Sequence, residues 1–285
     1  MPSQPHIARL ESRALIAVGG EDWRSFLQGL LTQDVETIAS RDLRFAALLT
    51  PQGRLLYDLF IVGRPDLGVD DGCWLDCAAE RRDALIQRLT MYRLRAKATI
   101  APDESPVLAA WGDAPPGAGW IADPRLPSLG WRGYGAEADA GAAESDYDRH
   151  RLAIGVPGPA DWGEDASYPL EADFDLLNAI DFKKGCFIGQ ETTSRMKRRG
   201  SIKSRMLPIT FEGEAPAVGA EILAGTLRAG EVLSGIHGRA MALVRLDRIE
   251  GAALTADGRA CEVERPEWFQ HSPESVIAGH RPGDP

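Results

Sequence analysis

The stretch KKGCFIGQETTSRMKRRG, residues 183–200, gathers the side chains best suited to chemistry. Cys186 lies between Gly185 and Gly189, behind Lys183 and Lys184, and ahead of a run of helix-compatible residues. The spacing predicts a helix from about Gly189 to Arg199, stopped by Gly200. Gln190 and Glu191 then fall in its first turn, Glu191 is placed to pair with Arg195, and the later basic residues sit at its negative end. A helix amino terminus and nearby lysines favour thiolate over thiol, the setting in which cysteines become nucleophiles or metal ligands. The alternative is a small buried hydrophobe, the usual state of an isolated cysteine. The charged and glycine-rich flanks point to an accessible, reactive Cys186.

This segment is electrostatically out of place. Residues 183–205 carry eight basic side chains against Glu191 alone, in a chain of formal charge −10 and pI near 5.1. An acidic protein has no general affinity for nucleic acid or anionic membrane, so any anion site must be local. DNA and RNA are therefore not expected partners, and the basic helix would offer RNA only a small footprint. Cys73, Cys77, Cys186 and Cys261 are too few for a disulfide framework and form no C-x-x-C pair, which fits a reducing cytoplasm. The N-terminal residues lack a basic region followed by an apolar core, and no apolar run reaches the ~18 residues of a membrane span. A soluble, cytoplasmic protein is expected. His6, His150, His237, His271 and His280 are scattered without metal-ligand spacing, and Walker A and G-x-S-x-G patterns are missing.

The elements that must position Cys186 read as α+β. Residues 8–18 read as one strand, followed by a helix with Trp23, Phe26, Leu27 and Leu30 on one face. Thr50-Pro51-Gln52-Gly53 is a turn joining two apolar runs into a hairpin. Residues 73–100 read as strand, helix, strand, with Leu85, Ile86, Leu89 and Tyr92 marking the helix. In the last of these strands Arg93, Arg95 and Lys97 alternate with apolar residues and face water. Cys73 and Cys77 share a face with Leu75 and read as buried structural thiols. Residues 113–144 are a long Pro- and Gly-rich excursion, and Ser145 with Asp148 fits a capping box opening the next helix. From Lys203 onward, short strands separated by Gly and Asp turns predict a small barrel. The domains expected are 1–202, a core of two interleaved α+β subdomains, 203–270, the barrel, and 271–285, a frayed tail.

The 183–200 segment resembles the signature K-G-C-[FY]-x-G-Q-E-x-x-x-R-x-K-x-R-G of the YgfZ family, folate-binding relatives of the glycine-cleavage T-protein that include mitochondrial iron–sulfur maturation factors. Lys184, Gly185, Cys186, Gly189, Gln190, Glu191, Arg195, Lys197, Arg199 and Gly200 meet its fixed positions. FLQGLLTQDV, FAALLTPQGRLLYDLFIV, LTMYRLRAKATI, DPRLPSLGWR and AGEVLSG are similar to that family's other segments, in its order. The resemblance implies a T-protein-like (aminomethyltransferase-like) α+β fold: two intertwined domains and a C-terminal barrel around a central channel that binds tetrahydrofolate, which is often polyglutamylated. It further implies a role in assembling or repairing iron–sulfur clusters in client enzymes, tRNA-modifying enzymes among them, with cluster carriers or clients as partners. By similarity, Glu171 would face the pterin, and Lys183, Lys184 and Arg195 would lie near the folate. Asp58 falls where T-proteins carry the second of two aspartates. The first position is Tyr57, a departure that weighs against inherited aminomethyl transfer. A buried Asp58 needs a partner. With one motif cysteine the monomer should hold no stable metal or cluster, since a complete cluster site takes about four ligands. The alternative is a tetrahydrofolate-dependent aminomethyl or methyl transferase, with Asp58 and Cys186 as its catalytic candidates.

Overall fold

The computed structural model describes residues 5–64, 72–135, 138–200 and 202–270. The chain begins β1 (His6–Arg9), β2 (Arg13–Gly19), α1 (Trp23–Gln28), β3 (Leu43–Leu49), β4 (Leu55–Gly63), β5 (Gly72–Ala78), α2 (Arg82–Arg93) and β6 (Thr99–Asp103). It continues through β7 (Val107–Trp111), β8 (Trp120–Ala122), β9 (Trp131–Tyr134), α3 (Glu144–Ile154), α4 (Pro159–Trp162) and α5 (Gln190–Arg199). The rest is β10 (Ser204–Phe211), β11 (Glu221–Ala224), β12 (Leu227–Ile236), β13 (Arg239–Arg245), α6 (Leu246–Ile249), β14 (Leu254–Ala256), β15 (Arg259–Val263) and α7 (Glu267–Gln270). The tail expected over 271–285 lies outside the described residues.

Three sheets result: four-stranded β1-β7-β9-β8, five-stranded β3-β4-β5-β2-β6, and a closed barrel β10-β13-β12-β11-β14-β15. The chain enters the first sheet at β1, builds the second, then returns to the first from β7, so the two are interleaved. The expected single strand over residues 8–18 is two strands in different sheets, separated by a turn at Glu11 and Ser12. Apolar alternation runs on through that turn and hides it. The hairpin is as expected, with Phe45 opposite Phe60.

The inner strand β4 is buried along its whole length, because both faces of its sheet are covered. One face receives Trp23, Phe26 and Leu27 of α1 with Leu85 and Leu89 of α2. The other, with Leu15, Phe60 and Trp74, meets Val107, Ala109 and Tyr134 of the four-stranded sheet. Each buried Val, Leu or Phe among them contributes about 1.5–3 kcal/mol by leaving water. Cys73 and Cys77 are buried in the helix-covered face, where desolvation pushes their thiols up, that of Cys77 to about 12.

The expected basic strand face over residues 93–97 is not formed. Arg93 ends α2, Leu94 takes φ 46°, and pairing starts only at Thr99, so Arg95 and Lys97 lie in the connecting loop. The 113–144 excursion contains β8 and β9. α3 opens at Glu144 rather than Ser145, with the Asp146 carboxylate accepting the Ala143 N–H at 3.0 Å.

Strand periodicity places Arg13, Asp58 and Asp76 on the face that carries Leu15, Phe60 and Trp74, which buries three charges between the two sheets. Arg13 donates to Asp58 Oδ2 and to Asp76 Oδ1, each at 2.6 Å. Arg132 of β9 reaches Asp76 Oδ2 at 2.9 Å and Asp123 Oδ2 at 3.2 Å, and Arg125 donates to Asp123 at 2.7 Å. Tyr134 donates to Asp76 at 3.0 Å, Arg125 donates to Tyr147 Oη at 3.1 Å, and the Arg132 guanidinium lies 3.7 Å from the Phe60 ring centre. Three cations and three carboxylates thus cancel inside the core and join the sheets.

This lattice has a pH signature. Burial pushes the Asp123 carboxyl up, but Arg125 and Arg132 override it and hold its pKa at about 2. A folded pKa below the unfolded value of ~3.9 stabilises the fold at neutral pH, and that contribution, on the order of 2–3 kcal/mol, is lost as pH falls from ~4 through 2. Urea unfolding across pH 2–7 should show this loss, and Asp123→Asn should flatten it. An unchanged slope in the variant would place the acid sensitivity elsewhere.

Candidate functional site

The motif cysteine sits in a loop fixed from both sides. Cys186 is exposed, whereas Cys73, Cys77 and Cys261 are buried. On its N-terminal side, Lys184 Nζ donates to the carbonyls of Gln28, Leu31 and Gln33 at 2.8, 2.7 and 2.8 Å. Gln28 ends α1, so one of the three carbonyls is among those a helix terminus leaves open, and the other two lie in the loop that follows. On the C-terminal side Phe187 is buried, its ring 5.6 Å from that ammonium. The Asp181 carboxylate accepts the backbone N–H of Lys183 at 2.7 Å and of Lys184 at 3.2 Å, and Asp181 N–H bonds Thr32 O at 3.0 Å. The loop is thereby docked on residues 28–33, with the thiol turned outward.

Lys184 was expected to stand beside folate. Its three N–H bonds are instead all used inside the protein, and burial pulls its pKa down to about 8. Lys184→Met keeps the stem but removes three charge-assisted bonds, each worth about 1.5–3 kcal/mol where water cannot replace it. Hydrogen exchange of amides 181–189 should rise at least tenfold in this variant. Unchanged protection would mean that the loop is held by Phe187 and Asp181 alone.

The helix follows as expected: α5 runs Gln190–Arg199 behind Gly189, and Gly200 closes it at φ 58°. Gly189 has φ 81°, and a Cβ there would lie 2.8 Å from Thr50 O and 2.9 Å from Gly53 Cα. Gly53, at φ 82°, would meet Thr192 Cβ at 2.8 Å. The hairpin tip and the start of α5 therefore touch through two glycines that no side-chain-bearing residue replaces without a shift. Gly185 has open space around it. Glu191 and Arg195 are both exposed, and the expected ion pair between them is not formed among the described residues. Lys197 reaches inward to Asp175 Oδ2 at 2.7 Å, and Asp175 also accepts from the buried Arg205 of β10 at 2.7 Å. Burial pushes Asp175 up, yet Arg205 and Lys197 keep its pKa below the usual carboxylate value. One motif lysine thus ties the helix to the barrel.

Glu171 belongs to the same neighbourhood. Arg54, next to Gly53, stacks 4.7 Å over the Tyr168 ring, and Tyr168 N–H donates to Glu171 Oε2 at 2.9 Å. Met206 N–H bonds Glu171 O at 2.8 Å, beside Arg205. Burial raises the pKa of this half-buried carboxyl. Glu171, the hairpin tip and the motif helix therefore form one continuous contact set, while Lys183 and Arg195 stand exposed on the motif's outer side. Asp58 is elsewhere. Expected as a catalytic acid, it is a buried partner of Arg13 in the inter-sheet lattice. No group of His, Cys, Asp or Glu among the described residues is arranged to hold a metal ion, and none of their helices is long and apolar enough to cross a membrane.

Comparison with known proteins completes the site. Residues 203–271 match the profile of the CAF17 C-terminal beta-barrel domain. The mitochondrial iron–sulfur cluster assembly factor IBA57 of Mus musculus is 32% identical over 85% of this chain and 78% of the relative. That of Homo sapiens is 30% identical over 92% of this chain and 84% of the relative. The chain belongs to the IBA57 family of iron–sulfur cluster assembly factors. A fungal IBA57 homologue from Phaeosphaeria nodorum is 38% identical over 72% of the chain and 55% of the relative, so the chain spans little more than half the length of that relative. In three dimensions the chain is similar to glycine cleavage system aminomethyltransferase T from Bartonella henselae, with a TM-score of 0.74 and 19% identity over 94% of this chain and 87% of that one. The expected T-protein-like α+β fold with a C-terminal barrel is the one observed.

The expected cytoplasmic location is overturned, because these IBA57 relatives are named as mitochondrial proteins. The expectation rested on the cysteine count, and unpaired thiols do not distinguish the cytoplasm from other reducing compartments.

Proposed function

We propose that this IBA57-family chain is a folate-binding accessory protein for the assembly or repair of iron–sulfur clusters in client enzymes, with Cys186 as its working thiol. The observation that carries this reading is the exposure of Cys186 on a loop docked at both ends, while the other three cysteines are buried. A single thiolate supplies one of the roughly four ligands a cluster takes, so the thiol acts with ligands from a cluster carrier or client rather than alone. The match to the YgfZ signature over residues 184–200 supports membership of that branch, with tRNA-modifying enzymes among the clients.

Glu171 fits the pterin of tetrahydrofolate. Its carboxyl is half-buried, Oε2 is used by Tyr168 N–H, and the other oxygen is left to accept from a ligand's ring N–H groups, the kind of directional contact that orients a heterocycle. The exposed cations Lys183 and Arg195 fit the acidic glutamyl end. Aminomethyl transfer gains no support, because Asp58 is committed to Arg13. Calorimetry with tetrahydrofolate should show binding that Glu171→Ala weakens at least tenfold and Cys186→Ala leaves intact. Equal affinity in the parent and Glu171→Ala would remove the folate site from Glu171.

A further inference from the structure

The outer side of α5 borders an open groove of about 630 Å³. Gln190, Glu191, Ser194, Lys197 and Arg198 line it with the i, i+1, i+4, i+7, i+8 spacing of one helical face, and Phe182 forms the opposite wall. Phe182 is 37% exposed, an aromatic ring left partly in water, and Lys197 Nζ stands 5.9 Å from its centre while bonding Asp175. The wall is therefore a held surface. Phe182 and Gln190 are the two ends of the segment that carries Cys186, so the groove runs along the base of the thiol's loop.

Charge selects the occupant. Lys184, Lys197 and Arg205 spend their charge inside the protein, but Lys183, Arg195, Arg198 and Arg199 are exposed, and none of these four is in an ion pair among the described residues. Among the described residues that line the groove, Glu191 is the one acidic side chain. The rest of the molecule is strongly acidic, so this is where an acidic surface is attracted rather than repelled. Long, separated, solvent-facing cations suit a chain of carboxylates better than one compact anion, and the exposed ring asks for an apolar side chain between them.

We infer that this groove docks an acidic segment of a partner protein that places one large apolar side chain on Phe182 and so delivers the partner to Cys186. The delivery step rests on the thiol function proposed above, whereas the docking does not. A fluorescein-labelled peptide with aspartates flanking a central leucine–phenylalanine pair is the probe, read by anisotropy at low and moderate salt. Binding should weaken at least tenfold in Arg195→Glu/Arg198→Glu, at least threefold in Phe182→Ser, and not at all in Cys186→Ala. All of these positions except Arg195 and Cys186 line the groove, and unchanged circular dichroism and thermal midpoints show that the variants remain folded.

Equal binding by the parent and Phe182→Ser would overturn the proposal. So would equal affinity for an all-aspartate peptide or an oligonucleotide of the same charge, either of which reduces the face to a general anion attractor. Sedimentation showing a dimer that Phe182→Ser dissolves would assign the groove to a second copy of this chain and also contradict the inference. Because Cys186→Ala leaves the groove intact, failed peptide binding counts against the docking alone, and failed dependence of rescue on Cys186 counts against the thiol alone.

Discussion

A Cys186→Ala chain is expected to fold like the parent and to restore none of the iron–sulfur enzyme activity lost when this protein is absent. The side chain is exposed, and surface substitutions of this kind change stability by no more than about 0.5 kcal/mol. Its neighbours keep their contacts: Lys184 still caps the carbonyls of residues 28–33, Phe187 stays buried, and Asp181 still holds the loop backbone. The substitution thus removes a sulfur and little else. No second thiol can compensate, because Cys73, Cys77 and Cys261 lie in cores where burial raises their pKa values. Complementation in cells lacking the protein, read as the specific activity of an iron–sulfur enzyme, checks this. Full rescue by Cys186→Ala would exclude a role for the thiol.

The largest effect on stability is expected at Asp76. Its carboxylate bonds Arg13 at 2.6 Å, Arg132 at 2.9 Å and Tyr134 at 3.0 Å, with no exposure to solvent. Asp76→Ala leaves two guanidinium groups in the core short of a counter-charge, and breaking a buried pair in this way costs about 3–5 kcal/mol. Against a typical total of 5–15 kcal/mol, that is enough to leave much of the chain unfolded at elevated temperature. Replacing the whole lattice with apolar residues of matched volume would cost far less, since the penalty comes from the unpaired charges left behind. Urea unfolding of the variant should show the loss. A change under about 1 kcal/mol would mean that water or the remaining carboxylates, Asp58 and Asp123, re-pair the arginines.

The parts of this account that were visible in the sequence are those with local causes. The hairpin announced itself by a Pro and Gly turn between apolar runs, α5 by its glycine boundaries and basic end, and the barrel by short strands at turn spacing. Errors arose where local pattern was overridden. Alternation over residues 94–100 mimicked a strand, but Leu94 turns the chain at φ 46° and delays pairing to Thr99. The lattice partners were hidden by distance along the chain: Arg13 meets residues 45 and 63 positions away, and Arg132 meets one 56 positions away. Lone charges of opposite sign inside apolar strands, Arg13 before ALIAVG and Asp76 within GCWLDCA, were the available signal. The inward role of Lys184 is hidden for a similar reason. Next to a cysteine it looks like an electrostatic neighbour, and only the placement of residues 28–33 shows three carbonyls waiting for it.

The function proposed for this protein depends on a reachable thiol on a pinned loop. Its most direct test is alkylation of the native protein with iodoacetamide, followed by mass spectrometry of all four cysteine peptides across pH 6–9. Cys186 should be modified in the folded chain, while Cys73, Cys77 and Cys261 should react only after denaturation. Modification of Cys186 no faster than those three would contradict it.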